Sequence, residues 1–167
     1  MKTVLDGGLA LRPAVAEDVP YMADCIRETL KASVPPEEAD LADLWTDTMT
    51  AVALESLSSR KMQDEAFILT DGNSRKGMLW MGISRDQYNA EPAGYLLGIY
   101  VSPDIRRKGI GKELVACAES WCSDKGLVYM QLDVGSSNEA AAALYASAGY
   151  APRSSIMTKL LRRCRGM

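Results

Sequence analysis

Histidine is absent from all 167 residues of this sequence. It is the commonest metal ligand and the commonest general base in enzymes, so we expect neither a zinc site nor a Ser-His-Asp triad. We predict that the protein binds no metal. Any proton transfer that it catalyses must then use carboxylates, tyrosines or water.

Long apolar runs and paired cysteines are also absent. No run approaches the roughly 20 apolar residues that cross a bilayer, and residues 1–6 lack the apolar core of a signal peptide. The four cysteines are scattered and form no C-x-x-C pair, so we expect reduced, mostly buried thiols. These absences predict a cytoplasmic protein with no membrane partner.

An excess of basic residues is lacking too. The 19 lysines and arginines are outnumbered by 22 aspartates and glutamates, which gives a net charge of −3. Because binding to a phosphate backbone requires a basic face, we expect no nucleic-acid partner. The chain shows no repeat or low-complexity segment, and its length suits one core, so residues 1–167 are predicted to form a single domain.

Basic residues are nevertheless concentrated in residues 94–112, GYLLGIYVSPDIRRKGIGK. The first eight residues have the apolar, β-branched and aromatic character of a buried strand, Pro103 ends it, and a helical pattern opens at Lys112. The free N–H groups and positive dipole end of such a helix attract phosphate, and glycines let an anion approach the backbone. The predicted phosphate-binding residues are Arg106, Arg107, Lys108, Gly109, Ile110, Gly111 and Lys112.

Three other interpretations of this turn compete. A surface turn with solvated arginines is the plainest. A Walker loop requires G-x-x-x-x-G-K-[ST], and it is excluded because Glu113 follows Lys112 and the earlier glycine is missing. A dinucleotide fingerprint needs a third glycine where this chain has Leu114, although Asp133 lies about 20 residues further on as that motif requires. Too few residues follow for such a fold, so a dinucleotide oxidoreductase is a distant alternative.

The apolar periodicity of the remaining chain predicts an α/β protein with a mixed sheet. Helices are predicted from Asp18, from residues 37–40, over 110–126 and over 140–148. The second of these has an apolar stripe of Leu41, Leu44, Trp45, Thr48 and Val52. Strands are predicted at 9–15, 66–69, 78–83, 94–101, 128–134 and 156–161. The strand–helix–strand order around residues 110–126 implies one parallel pair.

Two motifs resemble those of the GNAT superfamily of acyl-CoA-dependent N-acyltransferases. Arg106-x-x-Gly109-x-Gly111, after Val101-Ser102-Pro103, resembles motif A, [QR]-x-x-G-x-[GA]. The stretch Asn138-x-x-Ala141-x-x-Leu144-Tyr145-x-x-x-Gly149-Tyr150 resembles motif B at the usual distance beyond it. The resemblance covers residues 66–161, while residues 1–65 match only in element order. It implies an α+β sandwich with the GNAT fold, about six to seven strands, about four helices, and a parallel pair splayed at the cofactor site.

The resemblance implies acetyl-CoA as the cosubstrate. Backbone groups of Ile99, Tyr100 and Val101 would bind its pantetheine arm, and its pyrophosphate would lie on the N–H groups from Arg107 to Lys112. The resemblance assigns Asn138 to coenzyme contact and Tyr145 to the role of general acid for the departing thiolate. Their structural alternatives are a helix N-cap for Asn138 and core packing for Tyr145.

The general base is less well defined by the resemblance. Many GNAT enzymes carry a glutamate on the motif A strand, but Leu97, Gly98 and Tyr100 offer no carboxylate there. The stretch around Asp133, L-D-V-x-x-S-N, is similar to the L-E-V-x-x-S-N of bacterial enzymes that acetylate the N-terminus of a ribosomal protein, where the glutamate is the base. Asp133 is therefore the candidate base, and its shorter side chain leaves a structural role at the strand end equally open.

The predicted function is N-acetyl transfer from acetyl-CoA to a primary amine by direct attack in a ternary complex. The acceptor amine would be a small molecule or a peptide N-terminus, and a homodimer is left open. The alternative is a GNAT-fold sensor that binds coenzyme A without turnover. One group of acids would form an acidic lip at the acceptor site that attracts a cationic amine. Alternatively, it is only the solvated face of an amphipathic helix. The acids are Glu37, Glu38, Asp40, Asp43 and Asp47.

Overall fold

A mixed sheet of five strands organises the computed structural model, which describes residues 3–35, 42–59 and 64–159. Spatial order follows chain order, and β1 to β4 are antiparallel neighbours, whereas β5 pairs parallel to β4. The strands are β1 Ala10–Pro13, β2 Glu65–Asp71, β3 Ser74–Arg85, β4 Pro92–Val101 and β5 Met130–Leu132. The predicted parallel pair is thus β4 with β5.

Within the described residues, four α-helices cover the two faces of this sheet. They are α1 Val19–Ser33, α2 Ala42–Ser59, α3 Ile110–Asp124 and α4 Glu139–Ser147. Helix α1 has a proline in its first turn, where the missing N–H costs nothing. Helix α3 begins after Gly109 and is followed by Gly126, both with positive φ, 83° and 72°. Such positions favour glycine because it has no Cβ to clash.

The apolar residues of alternate strand positions form two separate cores. On one face, Leu79, Met81 and Leu96 pack with α3 residues that include Leu114 and Trp121. On the other face, strand residues pack with α1 in a cluster of Met22, Cys25, Ile26, Ala66, Ile68, Met78 and Trp80. Burial on both faces explains why β2 and β3 read as continuous apolar runs. The cysteines at 25, 117 and 122 are buried, as predicted.

Two close contacts fix where α1 and α3 lie against the sheet. A Cβ at Gly94 of β4 would overlap the Sγ atom of Cys122 in α3, so only glycine fits there without displacement. On the other face, Asp18 precedes α1 and is completely buried. Its carboxylate accepts hydrogen bonds from Arg12 of β1 and Arg75 of β3, which ties three elements together.

Asp18 was predicted to begin α1, and the helix does start immediately after it. Its side chain, however, makes no cap hydrogen bond to α1 and instead accepts from the N–H of Val15. The hydrogen bonds from Arg12 hold the pKa of Asp18 far below its usual range, against the opposing effect of burial. The two guanidinium groups compete successfully with the helix N–H groups for this carboxylate because their hydrogen bonds are charge-assisted.

The last predicted strand, at 156–161, is not present in the part that the structure describes. Residues 151–159 have no regular secondary structure, and Ile156 and Met157 are each 94% exposed. Alternating apolar residues stabilise a strand only when a neighbouring strand and a core receive them, and here neither does. The described sheet therefore has five strands rather than six to seven, and residues 160 and 161 lie outside the described residues.

The predicted apolar stripe of the second helix is wrong at three positions, since Leu44, Trp45 and Thr48 are all exposed. Leu44 and Trp45 are 63% and 47% exposed, while Val52 packs against the α1 side of the sheet. Helical spacing predicts a common face but cannot say whether another element covers it. Leu41 and the predicted start at 37–40 lie outside the described residues. Among the helices that are described, none has the length and apolar character needed to cross a bilayer.

Candidate active site

An open cleft of about 880 Å³ lies where β4, the turn before α3, helix α4 and the end of α1 meet. Apart from Lys108, every residue predicted to bind the cofactor or take part in catalysis lines it. They are Ile99, Tyr100, Val101, Arg106, Arg107, Gly109, Ile110, Gly111, Lys112, Asp133, Asn138 and Tyr145. Lys108 is exposed on the same turn. Several residues of each motif therefore meet at one cleft.

The splayed strands give the cleft an open backbone edge. The parallel ladder joins Gly94 to Met130 and ends at the pair Leu96 and Leu132, whereas β4 continues to Val101. On its other side, β4 stays paired with β3 as far as Val101. Because N–H and C=O groups alternate in direction along a strand, part of the backbone of residues 97–101 faces the cleft rather than another strand.

The turn before α3 presents the start of that helix to the cleft. Arg107 and Gly109 both have left-handed φ values, 64° and 83°, and the helix begins at Ile110. The first N–H groups of any α-helix have no acceptor within it, so they are available to an anion. Gly111 lets α4 approach this point, since a Cβ there would lie 3.2 Å from a methyl group of Leu144.

Arg106 has a second role that the motif alone does not predict. Its Nε donates a hydrogen bond of 2.7 Å to the carbonyl oxygen of Val101, and its guanidinium lies 5.4 Å from the centre of the Tyr100 ring. The side chain therefore braces the end of β4 against the helix-opening turn. Arg106, Arg107 and Lys112 all line the cleft.

Asn138 begins α4 and also links that helix to α1. Its Oδ1 accepts from the N–H of Ala141 at 3.1 Å, which is the N-cap arrangement, and its Nδ2 lies 3.4 Å from the Oγ of Ser33. The N-cap alternative for Asn138 is therefore observed. Since the residue also lines the cleft, capping does not remove it from reach of a bound molecule.

Tyr145 is the deepest polar side chain among the predicted residues, with only 7% of its surface exposed. Burial raises the pKa of its hydroxyl to about 12, so the phenol is protonated at neutral pH. Its ring packs edge-to-face against Tyr150, with centroids 5.9 Å apart. The residue thus belongs both to the α3-side core and to the cleft wall, so the core-packing alternative is also observed.

Asp133 follows the end of β5 and is exposed in the cleft. Its Oδ2 accepts a hydrogen bond of 2.5 Å from the hydroxyl of Tyr95 on β4. Tyr95 was not among the predicted site residues. The parallel register pairs Tyr95 with Gln131, two positions before Asp133, so all three side chains project from the same face. The strand register would have predicted the contact between Tyr95 and Asp133, but the motif residues do not determine that register.

A buried carboxylate close to β5 was also not predicted from the sequence. Asp86 is 1% exposed and accepts hydrogen bonds from Arg153 and Gln131 side chains and from the N–H groups of Tyr88 and Asn89. Although desolvation raises the pKa of Asp86, the hydrogen bonds from Tyr88, Arg153 and Asn89 and the charge of Arg153 together bring it below its usual range. The cluster joins the β3–β4 connector, β5 and the segment after α4.

The acids of the predicted lip do not reach this cleft in the part of the chain that the structure describes. Asp43 and Asp47 are exposed on α2 and are not among the lining residues. Glu37, Glu38 and Asp40 lie outside the described residues. Across residues 3–35, 42–59 and 64–159, no group of three or more Cys, Asp or Glu side chains could hold a metal ion.

The chain matches a known protein family and several known proteins. The model of the Acetyltransferase (GNAT) family matches residues 27–150. An aminoglycoside N(6')-acetyltransferase type 1 from Acinetobacter genomosp. 13 is 27% identical over 129 residues, which is 70% of this chain and 88% of that protein. The rice protein Acetyl transferase GW6a is 47% identical over 58 residues, which is 34% of this chain and only 14% of the rice protein.

Solved structures agree on the fold. A GCN5-related N-acetyltransferase from Ralstonia eutropha JMP134 superposes with a TM-score of 0.77 at 19% identity, covering 92% of this chain and 99% of that one. The enzyme AAC(6')-Iy, bound to the bisubstrate analogue CoA-S-monomethyl-acetylneamine, gives a TM-score of 0.61 at 19% identity over 92% of this chain and 98% of that one. The resemblance drawn from the two motifs and the predicted fold class are confirmed, and the chain belongs to the Acetyltransferase (GNAT) family.

Proposed function

We propose that the protein transfers an acetyl group from acetyl-CoA to a primary amine, with both molecules bound in the cleft at once. The observation that carries this proposal is that a single cleft joins the open edge of β4, the basic start of α3 and the side chains of Tyr145 and Asp133. The family uses acetyl-CoA, which supports the choice of donor. A small amine or a peptide N-terminus is the acceptor class.

The residues present fit the chemical groups of acetyl-CoA. A diphosphate suits the N–H groups at the start of α3, because the helix dipole and the cations of Arg107 and Lys112 act on the same point. The amide groups of a pantetheine arm suit the backbone groups of Ile99, Tyr100 and Val101 on the edge of β4 that β5 leaves open, where strand-like hydrogen bonds can form. Asn138 would contribute its Nδ2 donor from the opposite wall.

Acetyl-CoA supplies an acyl group activated as a thioester. In the reaction, the amine nitrogen forms a bond to the acetyl carbonyl carbon, and the carbon–sulfur bond breaks. A backbone N–H on the open edge of β4 would stabilise the negative charge that develops on the carbonyl oxygen. A donor fixed on a strand is already in place, so it needs no reorganisation during the reaction.

Two side chains would take part in proton transfer. Tyr145 is protonated at neutral pH, so its hydroxyl would donate to the sulfur as the thiolate departs. The second proton that the nitrogen loses on becoming an amide would restore the phenol through water. The acceptor ammonium must lose a proton before its nitrogen can attack. Asp133 would accept that proton directly or through water, since its carboxylate is exposed in the same cleft.

Thiol release from acetyl-CoA tests the proposal with neamine, butane-1,4-diamine and a tripeptide with a free N-terminus as acceptors. We expect at least one amine to be acetylated, and we expect Tyr145→Phe to lower kcat about 10²- to 10⁴-fold because the general acid is lost. The Tyr145→Phe variant should still bind acetyl-CoA in calorimetry, since the phenylalanine ring makes the same packing contacts as the tyrosine ring. Tyr150→Phe is the matched control and should retain activity, because Tyr150 touches Tyr145 without lining the cleft.

The outcomes separate the two functions that the sequence left open. Acetyl-CoA binding without acetylation of any amine would refute catalysis and favour a coenzyme sensor, an alternative kept open by the lack of a carboxylate at Leu97, Gly98 and Tyr100. Absence of acetyl-CoA binding would refute both. Equal kcat for Tyr145→Phe and wild type would remove Tyr145 from the mechanism while leaving the reaction in place.

A further inference from the structure

The contact between Tyr95 and Asp133 crosses the point at which the two parallel strands separate. The ladder ends at Leu96 and Leu132, one residue beyond Tyr95 and one before Asp133. Tyr95 itself is not among the residues that line the cleft, whereas Asp133 is. The phenol therefore lies behind the carboxylate and approaches it from the paired part of the sheet, at an oxygen-to-oxygen distance of 2.5 Å.

We propose that Tyr95 is a positioning residue for the acceptor amine: it holds one oxygen of Asp133 so that the other oxygen remains available to the ammonium group in the cleft. The inference rests on the proposed acetyl transfer and assigns the amine-binding role to a pair of residues rather than to Asp133 alone. Tyr95 acts through Asp133 and does not touch the substrate.

The need for such a restraint follows from the position of Asp133. The residue is exposed and follows a strand that has just lost its pairing, so nothing in the ladder fixes its side chain. A free aspartate samples three staggered χ1 wells. The tyrosine is half-buried, and burial together with the nearby Asp133 raises the pKa of its hydroxyl above the ordinary value. Tyr95 thus stays a donor throughout the pH range in which enzymes work.

Asp133 and Glu28 are the two acids among the described residues that line this otherwise basic cleft. Glu28 pairs with Lys31, which also lines the cleft, at 3.3 Å. In the part of the chain that the structure describes, Asp133 has a phenol partner and no ion pair. A hydrogen bond from a neutral phenol leaves the full negative charge in place, so an alkylammonium ion completes the arrangement.

The expected size of the effect follows from the freedom that Tyr95 removes. Without the Tyr95 hydroxyl, the side chain of Asp133 can occupy three χ1 wells instead of one, so the conformer that binds the amine is populated about threefold less. Loss of the charge-assisted hydrogen bond weakens amine binding further. We therefore expect Tyr95→Phe to raise the KM for the amine about three- to tenfold. The KM for acetyl-CoA should not change, because the phosphate and pantetheine contacts lie elsewhere in the cleft.

A double-mutant cycle tests the inference with neamine or, if it reacts faster, another amine of the panel above. The variants are Tyr95→Phe, Asp133→Asn and the two together, with Tyr129→Phe as a control for loss of a hydroxyl close to β5. The inference requires that Tyr95→Phe raise the amine KM in the wild-type background but not in the Asp133→Asn background. Such non-additivity is the signature of one residue acting through another.

A spectroscopic measurement keeps the test independent of activity and of the stability of Tyr95→Phe. In protein labelled with ¹³C-tyrosine, Asp133→Asn should lower the pKa of Tyr95, because the hydrogen bond and the charge that raise it are removed. An unchanged Tyr95 pKa would overturn the inference. So would an unchanged amine KM in Tyr95→Phe, or an equal effect of that substitution when combined with Asp133→Asn.

These results distinguish the inference from the proposed function. If wild type acetylates an amine and the cycle is additive, the positioning role is wrong and the acetyl transfer stands. If wild type acetylates none of the amines, the proposed function fails and the positioning role fails with it.

Discussion

The substitution Asp18→Asn tests the energetic argument for the buried carboxylate that joins β1, β3 and α1. Asp18 accepts three hydrogen bonds from arginine, two from Arg12 at 2.6 and 2.8 Å and one from Arg75 at 2.8 Å, and a fourth from the N–H of Val15 at 3.0 Å. Asparagine has nearly the same shape, but it removes the charge and places an NH₂ group against the guanidinium donors.

The magnitude follows from the exposure of the partners. Hydrogen bonds to charged groups each contribute about 1.5–3 kcal/mol, and removing one partner of a buried ion pair costs about 3–5 kcal/mol. Both arginine side chains are 41% exposed, so water can solvate them once the carboxylate is gone. We therefore take the low end, about 3 kcal/mol, which corresponds to a fall in Tm of about 6–12 °C for a chain of this size.

The pH dependence has a definite sign. The pKa of Asp18 is lower in the folded protein than in the unfolded chain, so its stabilisation is present above the unfolded value of about 4 and is lost as the pH falls towards the folded value. The difference in Tm between wild type and Asp18→Asn should therefore be constant from about pH 5 to pH 7 and should shrink as the pH falls below about 4.

Thermal unfolding monitored by circular dichroism measures this difference, with Asp24→Asn as the control. Asp24 lies on α1, is 72% exposed and, within the described residues, pairs with Arg27 one turn away, so its loss should change stability by less than about 0.5 kcal/mol. A Tm for Asp18→Asn within about 2 °C of wild type, or a difference that does not shrink in acid, would contradict the reasoning.

Two further substitutions test packing and charge elsewhere in the fold. Gly94→Ala should destabilise by about 1–3 kcal/mol because its Cβ overlaps the Sγ of Cys122, and Cys122→Ala in the same chain should recover part of the loss in thermal unfolding. A double variant no more stable than Gly94→Ala alone would contradict the contact. Arg153→Ala should lower the Tm by several degrees because it leaves the buried Asp86 without its cation, and Asp86→Asn should reduce that penalty; an unchanged Tm would show that the pair is not needed.

The strand, glycine turn and helix around Gly109 could be predicted from the sequence because each signal is local. An apolar run predicts β4, Pro103 ends it, and glycine meets the positive φ that precedes α3. The start of α4 was predictable for the same reason, since the side chain of Asn138 caps the helix three residues away. The placement of both segments on one cleft came from the motif resemblance, and the lining residues include both of them.

The contacts that the sequence did not reveal join residues far apart in the chain. Tyr95 and Asp133 are 38 positions apart, and Asp18 and Arg75 are 57 positions apart. Each contact depends on strand register, and a shift of one residue would turn the side chain to the other face. The strand predicted at 156–161 failed for the opposite reason, because a good local pattern had no partner in the described residues.

The early end of the β4–β5 ladder has a consequence for handling the protein. An uncovered strand edge can accept any extended chain, including one from a neighbouring molecule, and natural sheets usually shield such edges with charge or with another element. Here the shield would be the ligand itself. We therefore expect protein that is saturated with acetyl-CoA to self-associate less than ligand-free protein.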